Sequence, residues 1–322
     1  MNEPGEYLSS SIAVLIPCFN EEKTIVKVIS DFQKELPAAK IYVFDNNSTD
    51  HSAQLALETG AVVIKEKRQG KGFVISSMLS KIVADIYIMV DGDDTYPAEK
   101  VHNLISPVYL EEADMVVGQR LSSYSDKAFR PMHYSGNKLV CSLINSIFSS
   151  KLKDPMSGYR VFNRDVAIDL PLVATGFDAE TEITLQLLHR HYVIKEIGID
   201  YRERPEGSYS KLRTFKDGSK VLYKIFSILQ SYKPLTFYGG MGMILVMFGL
   251  FIGSFVIREY ILYQYIFSVP KAILATGLIM VAGILTAIGI ILHSINFRLL
   301  EISSNAYKNA KMIDGINKKL DI

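Results

Sequence analysis

Two uninterrupted apolar runs decide most of what this chain can become. From Pro234 to Ile257, and again from Ala272 to Phe297, there is no Asp, Glu, Lys or Arg. At 1.5 Å per helical residue, about 23 residues rise roughly 35 Å, enough to cross a ~30 Å hydrocarbon layer with some tilt. Two helices buried in a water-soluble core are the alternative. Glycines at 239, 240, 242, 249 and 253 would weaken a soluble helix but suit close packing between membrane helices. Gly249 and Gly253 form a G-x-x-x-G pair. It fits packing on the second run or on another protomer, giving a homo-oligomer through the spans; chance in a Gly-rich run is the competing reading.

The flanks set an orientation. Lys211, Arg213, Lys216, Lys220, Lys224 and Lys233 precede the first run against one acid, Asp217, and Arg298, Lys308, Lys311, Lys318 and Lys319 follow the second. The connection holds only Arg258, Glu259 and Lys271. The positive-inside rule then predicts both termini in the cytoplasm and the connection outside. The N-terminal stretch MNEPGEYLSSS lacks the charged-then-apolar order of a signal peptide, so the polar part is expected to stay in the cytoplasm. Between these parts, Leu212, Phe215, Leu222, Ile225, Phe226 and Leu229 recur at helical spacing among lysines. That pattern predicts an amphipathic helix, lying in the headgroup layer or packed on the soluble domain. The expected division is a domain over 1–210, the amphipathic segment 211–233, two spans within 234–297 (about 235–257 and 272–296) and a cytoplasmic tail 298–322.

The net charge of +1 excludes a generically basic nucleic-acid binder, so no nucleic acid is expected as a partner. Two cysteines, Cys18 and Cys141, cannot form a disulfide scaffold. The mean hydropathy of +0.17 blends two chemically different segments. Outside the spans, short apolar runs at Ile12–Ile16, Ile41–Phe44, Ala61–Ile64, Ile86–Val90 and Met115–Val117 alternate with helical patterns such as Glu21–Glu35. The expectation is an α/β fold around a mostly parallel, doubly wound sheet. Ligands of such sheets bind beyond the carboxyl ends of the strands, where the polar clusters CFNEE, DNNSTD, DGDD and GQR fall.

Asp91 and Asp93 of DGDD repel one another unless a cation or hydrogen-bond donors compensate. Oxygen-only ligands favour Mg²⁺ or Mn²⁺ shared with substrate phosphates, although a plain surface loop has the same composition. Asp45 of DNNSTD could accept hydrogen bonds from a nucleobase or ribose; alternatively the segment is a turn into a helix, with Ser48 or Thr49 as N-cap. Arg68-Gln-Gly-Lys71-Gly72 brings a cation and flexible backbone suited to a diphosphate, but matches neither the P-loop nor G-x-G-x-x-G. Asp154–Arg160, Gly176–Glu182 and Arg202–Lys211 add further charge, the last just before the spans. His189 and His191, two apart, read as structural.

In this order, IPCFNEE, DNNSTD, RQGKG, DGDDTYP, DMVVGQR, DPMSGYR, GFDAETE and RPEGSYSKL resemble glycosyltransferase family 2, and more narrowly its polyprenyl-phosphate (dolichol-phosphate-like) sugar synthases. The resemblance covers nearly all of residues 10–212. It implies a GT-A catalytic domain followed by two membrane helices, in a prokaryotic plasma membrane. Pro17, Asn20, Glu21 and Glu22 would border the nucleotide, Asp45 would meet the base, and Lys71 would join the nucleotide site. Asp91 and Asp93 resemble the D-x-D pair holding Mg²⁺ or Mn²⁺ on the donor diphosphate. The mannose synthases add a Gln where this chain has Thr95, which puts the third ligand in doubt. Arg120, Arg204 and Lys211 match cationic positions that hold the donor diphosphate or acceptor phosphate. Arg130, His133, Ser135 and Asn137 are acceptor-phosphate candidates, and Asp154, Glu180 and Glu182 are candidates for the sugar.

The implied reaction is inverting transfer of one sugar from a nucleotide sugar, UDP-glucose or UDP-N-acetylglucosamine by preference, to polyprenyl phosphate. A lipid phosphate is already an anion near neutral pH, since its second pKa is about 6, so no general base is required. The absence of tryptophan removes the Q-x-x-R-W motif of processive synthases. The alternatives are GDP-mannose as donor, a lipid hydroxyl as acceptor (which would need a base) or a membrane-anchored sugar-nucleotide-binding protein without turnover.

Overall fold

The computed structural model describes residues 10–120, 131–170, 179–202 and 226–319. The chain divides into two compact units, Met1–Phe215 and Lys216–Ile322.

The first unit is built on a seven-stranded sheet of order β3-β2-β1-β4-β6-β5-β7. Its strands are β1 (Ile12–Cys18), β2 (Lys40–Asp45), β3 (Val62–Lys65), β4 (Ile86–Met89), β5 (Met115–Arg120), β6 (Arg160–Asn163) and β7 (Ile194–Ile199). All neighbours run parallel except β6, which is antiparallel to both β4 and β5. The helices are α1 (Ile25–Glu35), α2 (Ser52–Glu58), α3 (Lys71–Lys81), α4 (Val101–Tyr109), α5 (Pro131–Phe148), α6 (Arg164–Asp169) and α7 (Ala179–His189).

Alternation along β1 splits the core between the two faces. Val14 and Ile16 join one cluster with Ile25, Val28, Ile29 and Phe32 of α1 and Leu104 and Ile105 of α4. Ala13 and Leu15 join the other with Val74, Ile75 and Met78 of α3 and Ile183 and Leu187 of α7. The buried residues of α1 follow i, i+3, i+4, i+7, the spacing of one helical face. The helix starts four residues later than its periodicity suggests, because Asn20 turns the chain at a φ of 54° and Ile25 N–H closes on the Glu21 carbonyl. Pro17 sits within β1 after the β1–β4 pairing has ended at Leu15 and Met89, so its missing N–H breaks no bond on that side. Ser48 and Thr49 lie in the loop before α2, whose N-cap is His51.

The second unit is dominated by two antiparallel helices, Pro234–Tyr263 and Val269–Lys319. Both are long and apolar enough to cross a membrane. Their large side chains point outward: Met243, Met247 and Phe251 are more than 60% exposed. Small residues face inward, the reverse of a soluble helical pair. Gly242 and Gly249 on the first helix meet Ala282 and Ala275 on the second, while Gly289 receives Tyr238 and Leu235. The contact therefore repeats every seven residues. Gln264, at a φ of 52°, ends the first helix, and the Glu259 carboxylate accepts from Ser268 N–H at 3.0 Å at the start of the second. Tyr260, Tyr263 and Tyr265 cluster, exposed, at that end.

The packing separates the two glycines of the G-x-x-x-G pair. A Cβ on Gly249 would lie 3.1 Å from the Ala275 carbonyl oxygen and 2.8 Å from Ile279, whereas one on Gly253 meets only Ala275 Cβ at 3.8 Å. Gly249→Val should therefore lower the unfolding temperature in detergent by several degrees, and Gly253→Ala should leave it unchanged. Equal effects would refute this packing.

Candidate functional site

Because β1, β2 and β4 are parallel neighbours, their carboxyl ends deliver three loops to one edge. Each loop contains a left-handed Asn or Asp: Asn20 (φ 54°), Asn47 (φ 61°) and Asp94 (φ 58°). These residue types tolerate that conformation better than other non-glycine residues. It lets each loop double back above the sheet.

The β1 and β2 loops are knitted together through backbone donors. Asn20 N–H donates to Ser48 Oγ (3.1 Å), Glu21 N–H to Ser52 Oγ (2.7 Å) and Glu22 N–H to Asp50 Oδ2 (3.2 Å). Asn20 Oδ1 accepts in return from Thr49 N–H at 2.8 Å. Burial pulls the Asp50 carboxyl up, but hydrogen bonds from Ser52 and Glu22 outweigh it and hold the group below its ordinary value. Asp45, buried at the end of β2, accepts from Ser48 N–H at 3.1 Å.

Asn46 organises the next loop. Its buried amide donates to the carbonyls of Glu66 (3.1 Å) and Arg68 (2.7 Å) and accepts from Gly70 N–H (2.8 Å). Glu66 takes Arg68 Nε at 2.9 Å and Nη2 at 3.1 Å, and these bonds hold its carboxyl at about 2. The RQGKG backbone is thereby fixed, and α3 opens on Lys71.

Lys71 is the electrostatic centre of the edge. Its ammonium lies 2.5 Å from Asp91 Oδ1 and also contacts Glu180 in the first turn of α7. Burial alone would lower its pKa; the paired carboxylates of Asp91 and Glu180 overcome that and raise it. Glu182, two residues on, instead accepts from Gln186 on its own helix at 2.8 Å.

Every residue of the DGDD loop is held. Lys71 holds Asp91, and Thr24 Oγ1 donates to the Gly92 carbonyl at 2.7 Å. Thr95 Oγ1 donates to Asp93 Oδ1 at 2.6 Å, and Lys27 reaches Asp94 Oδ1 at 2.7 Å. Gly158 packs so closely on Asp91 that an added Cβ would lie 2.5 Å from Oδ2. Its N–H donates to Tyr96 Oη at 2.9 Å. Beside this loop, Arg120 forms a two-pronged pair with Asp154, Nε and Nη2 each at 2.7 Å. Asp154 N–H is itself fixed by Glu196 at 2.7 Å.

The donor set fits a hard divalent cation. Asp91 and Asp93 supply oxygen only, and Mg²⁺ or Mn²⁺ commonly takes one or two carboxylates and completes its shell with substrate phosphates and water. Among the described residues no group of three or more His, Cys, Asp or Glu converges as an all-protein cage. The Thr95 hydroxyl is engaged with Asp93.

The structure thus brings Lys71, Asp91 and Glu180 together, and pairs Arg120 with Asp154. Arg130, Arg204, Lys211 and residues 211–225 lie outside the described residues, as do the side chains of His133, Ser135 and Asn137 on α5. Asn46, Lys27, Tyr96, Gly158, Arg160 and Tyr201 were not singled out in the sequence reading. Arg160 entered it only as the last residue of the charged stretch Asp154–Arg160.

A profile described as Glycosyl transferase family 2 matches residues 13–170. Glycosyltransferase AglJ of Haloferax volcanii is 28% identical over 88% of this chain and 92% of its own length. A dolichyl-phosphate hexose transferase of the same organism is 28% identical over 67% of this chain and 92% of its own. Among solved structures, glucosyl-3-phosphoglycerate synthase from Mycobacterium tuberculosis in complex with Mn²⁺ and UDP-glucose superposes with a TM-score of 0.57. It is 21% identical and is covered over 83% of its chain and 72% of this one, a likeness of fold. With the sheet order, strand-end loops and relatives in agreement, the chain belongs to glycosyl transferase family 2 and is a glycosyltransferase.

Proposed function

We propose that the protein transfers a single hexose from a nucleotide sugar, a UDP-hexose by preference, to a polyprenyl phosphate at the cytoplasmic face of a membrane, with inversion. The observation that carries this reading is the presence in one chain of a carboxylate–lysine cluster at the strand ends and two helices fit to cross a bilayer. The relative that acts on dolichyl phosphate supports a lipid-phosphate acceptor, and the lysine-rich flanks support a cytoplasmic catalytic unit.

In this mechanism Asp91 and Asp93 would hold Mg²⁺ or Mn²⁺, which when bound would neutralise charge on a nucleoside diphosphate. Lys71 is paired with Asp91 and Glu180, and in this reading it joins the bound cation in meeting phosphate oxygens. In this reading Asp45 meets the nucleoside and Glu180, beside Lys71, takes sugar hydroxyls. Arg120, oriented by Asp154, supplies a planar cation beside the same edge, with Arg204 and Lys211 for the acceptor. The acceptor is already ionised, so the chain's task is to hold two anions in line rather than to remove a proton.

The test is a panel of UDP- and GDP-sugars against undecaprenyl phosphate, using the full chain in detergent with Mg²⁺ or Mn²⁺. The expected result is one sugar per lipid, on phosphate, abolished by excess chelator. Sugar on a lipid hydroxyl, or full activity in chelator, would overturn the acceptor or the cation respectively.

A further inference from the structure

We propose that Glu196 is a positioning residue: by fixing the turn at Lys153 and Asp154 it sets the Asp154 carboxylate, and through it the Arg120 guanidinium, at the strand-end site. This rests on reading Arg120 as a cation that meets a phosphate of the donor or the acceptor. Glu196 lies in β7, the last strand of the sheet, opposite Val117 of β5 and shortly before the pair of Ile199 with Arg120. Its half-buried carboxylate takes two consecutive backbone donors, Lys153 N–H on Oε2 and Asp154 N–H on Oε1, each at 2.7 Å. The residue before them is held by another element: Asn145 of α5 accepts from Leu152 N–H at 2.9 Å and donates to the Leu152 carbonyl at 2.7 Å. Three successive backbone N–H groups, in a stretch with no helix or strand of its own, thus end on side chains from α5 and β7.

Asp154 passes that placement on. Its Oδ2 accepts from Arg120 N–H (3.1 Å) and Nε (2.7 Å), and its Oδ1 from Nη2 (2.7 Å), so the guanidinium plane follows the carboxylate plane. The Tyr201 ring, its centroid 5.7 Å from the guanidinium carbon, adds a cation–π contact. Two carboxylates this close would repel if uncompensated. Here backbone donors lie between Glu196 and Asp154, and the guanidinium takes the other side of Asp154. An arginine loose in water loses side-chain freedom when it grips a phosphate, whereas one already set in plane and direction has lost it before the ligand arrives. The influence of Glu196 on Arg120 runs through the turn, so it should vanish once Asp154 no longer makes its two-pronged pair.

Two ligand readings and a melt test this on the full chain in detergent: UDP binding with Mn²⁺ by isothermal titration calorimetry, the KM for undecaprenyl phosphate in the transfer assay, and circular dichroism. Arg120→Ala identifies which ligand Arg120 serves. Glu196→Gln keeps one acceptor and turns an amide NH₂ on the other N–H. It should weaken that same ligand by roughly 3–10-fold, the size of one lost hydrogen bond. Glu196→Asp, which keeps the charge and loses the reach, should do the same. Asp154→Asn should weaken the ligand at least as much, and the Glu196→Gln/Asp154→Asn pair no more than Asp154→Asn alone. Lys195→Gln, at an exposed position of the same strand, is the control that should match wild type. A lower melting temperature in Glu196→Gln with both ligand readings unchanged, beside a loss in Arg120→Ala, marks a structural role only; it overturns the proposal and leaves Arg120 in place. An additive pair overturns it too. Unchanged readings in Arg120→Ala remove Arg120 from the site and the proposal with it.

Discussion

Replacing Asp93 by Asn is expected to cut turnover by on the order of 10²–10³-fold, the size of effect seen when one group stabilising transition-state charge is removed. The fold should survive. Asp93 is only 3% exposed, but Asn is nearly isosteric and its carbonyl can still accept from the Thr95 hydroxyl, now 2.6 Å away. What disappears is the charge. The loop stays anchored by Thr24 on Gly92, Lys27 on Asp94 and Lys71 on Asp91. The measurement is initial rate beside a circular-dichroism melt. An enzyme that keeps its melting temperature and its rate would remove Asp93 from the chemistry.

The second large effect concerns stability. Arg160 opens β6 with no exposed surface at all. Its guanidinium donates to the carbonyls of Ser157 (2.8 Å) and Pro155 (2.6 Å) and to Thr184 Oγ1 (2.9 Å). Burial lowers its pKa to about 10, so the group remains charged near neutrality. Hydrophobic replacement of a buried ion pair is often tolerated, because both charges leave together. Arg160→Met is different, since the Ser157 carbonyl then loses its donor, while the Thr184 hydroxyl keeps the Pro155 carbonyl at 2.9 Å. A loss of about 1–3 kcal/mol, the cost of one orphaned buried group, is expected, read as an earlier melt and a lower denaturant midpoint. Activity should fall with it, because the same turn presses Gly158 against Asp91. Arg160→Met as stable as wild type would show that water takes over those acceptors.

The two long apolar helices, five of the strands and the α/β class were legible because each is carried by a local apolar pattern. β6 and β7 were not. β6 is four residues long and begins with an arginine, so hydrophobicity argues against it until the acceptors around Arg160 are known. β7 reads IKEIGI, an edge strand with an exposed Lys195 and a Glu196 that turns to the backbone N–H groups of Lys153 and Asp154. The loops that carry chemistry were visible as compositions, but their wiring was not. Asn46 looks like any turn residue in DNNSTD, yet its amide spans 24 positions to fix Gly70. Lys71 and Glu180 are more than one hundred residues apart and meet only because α3 and α7 cover the same face of the sheet. Spacing along a chain reports such pairs only where a family pattern already encodes them.

The helix from Val269 to Lys319 runs 51 residues without interruption, and its only proline, Pro270, is in the first turn. Such a rod is about 77 Å long, more than twice the ~30 Å of hydrocarbon it could cross. It has no swivel. One residue inserted near Arg298 would rotate everything beyond it by about 100° and advance it by about 1.5 Å, whereas four would nearly restore the original face. The angular phase of the tail relative to the apolar stretch is thus a matter of residue count, held by backbone hydrogen bonds and indifferent to side-chain identity.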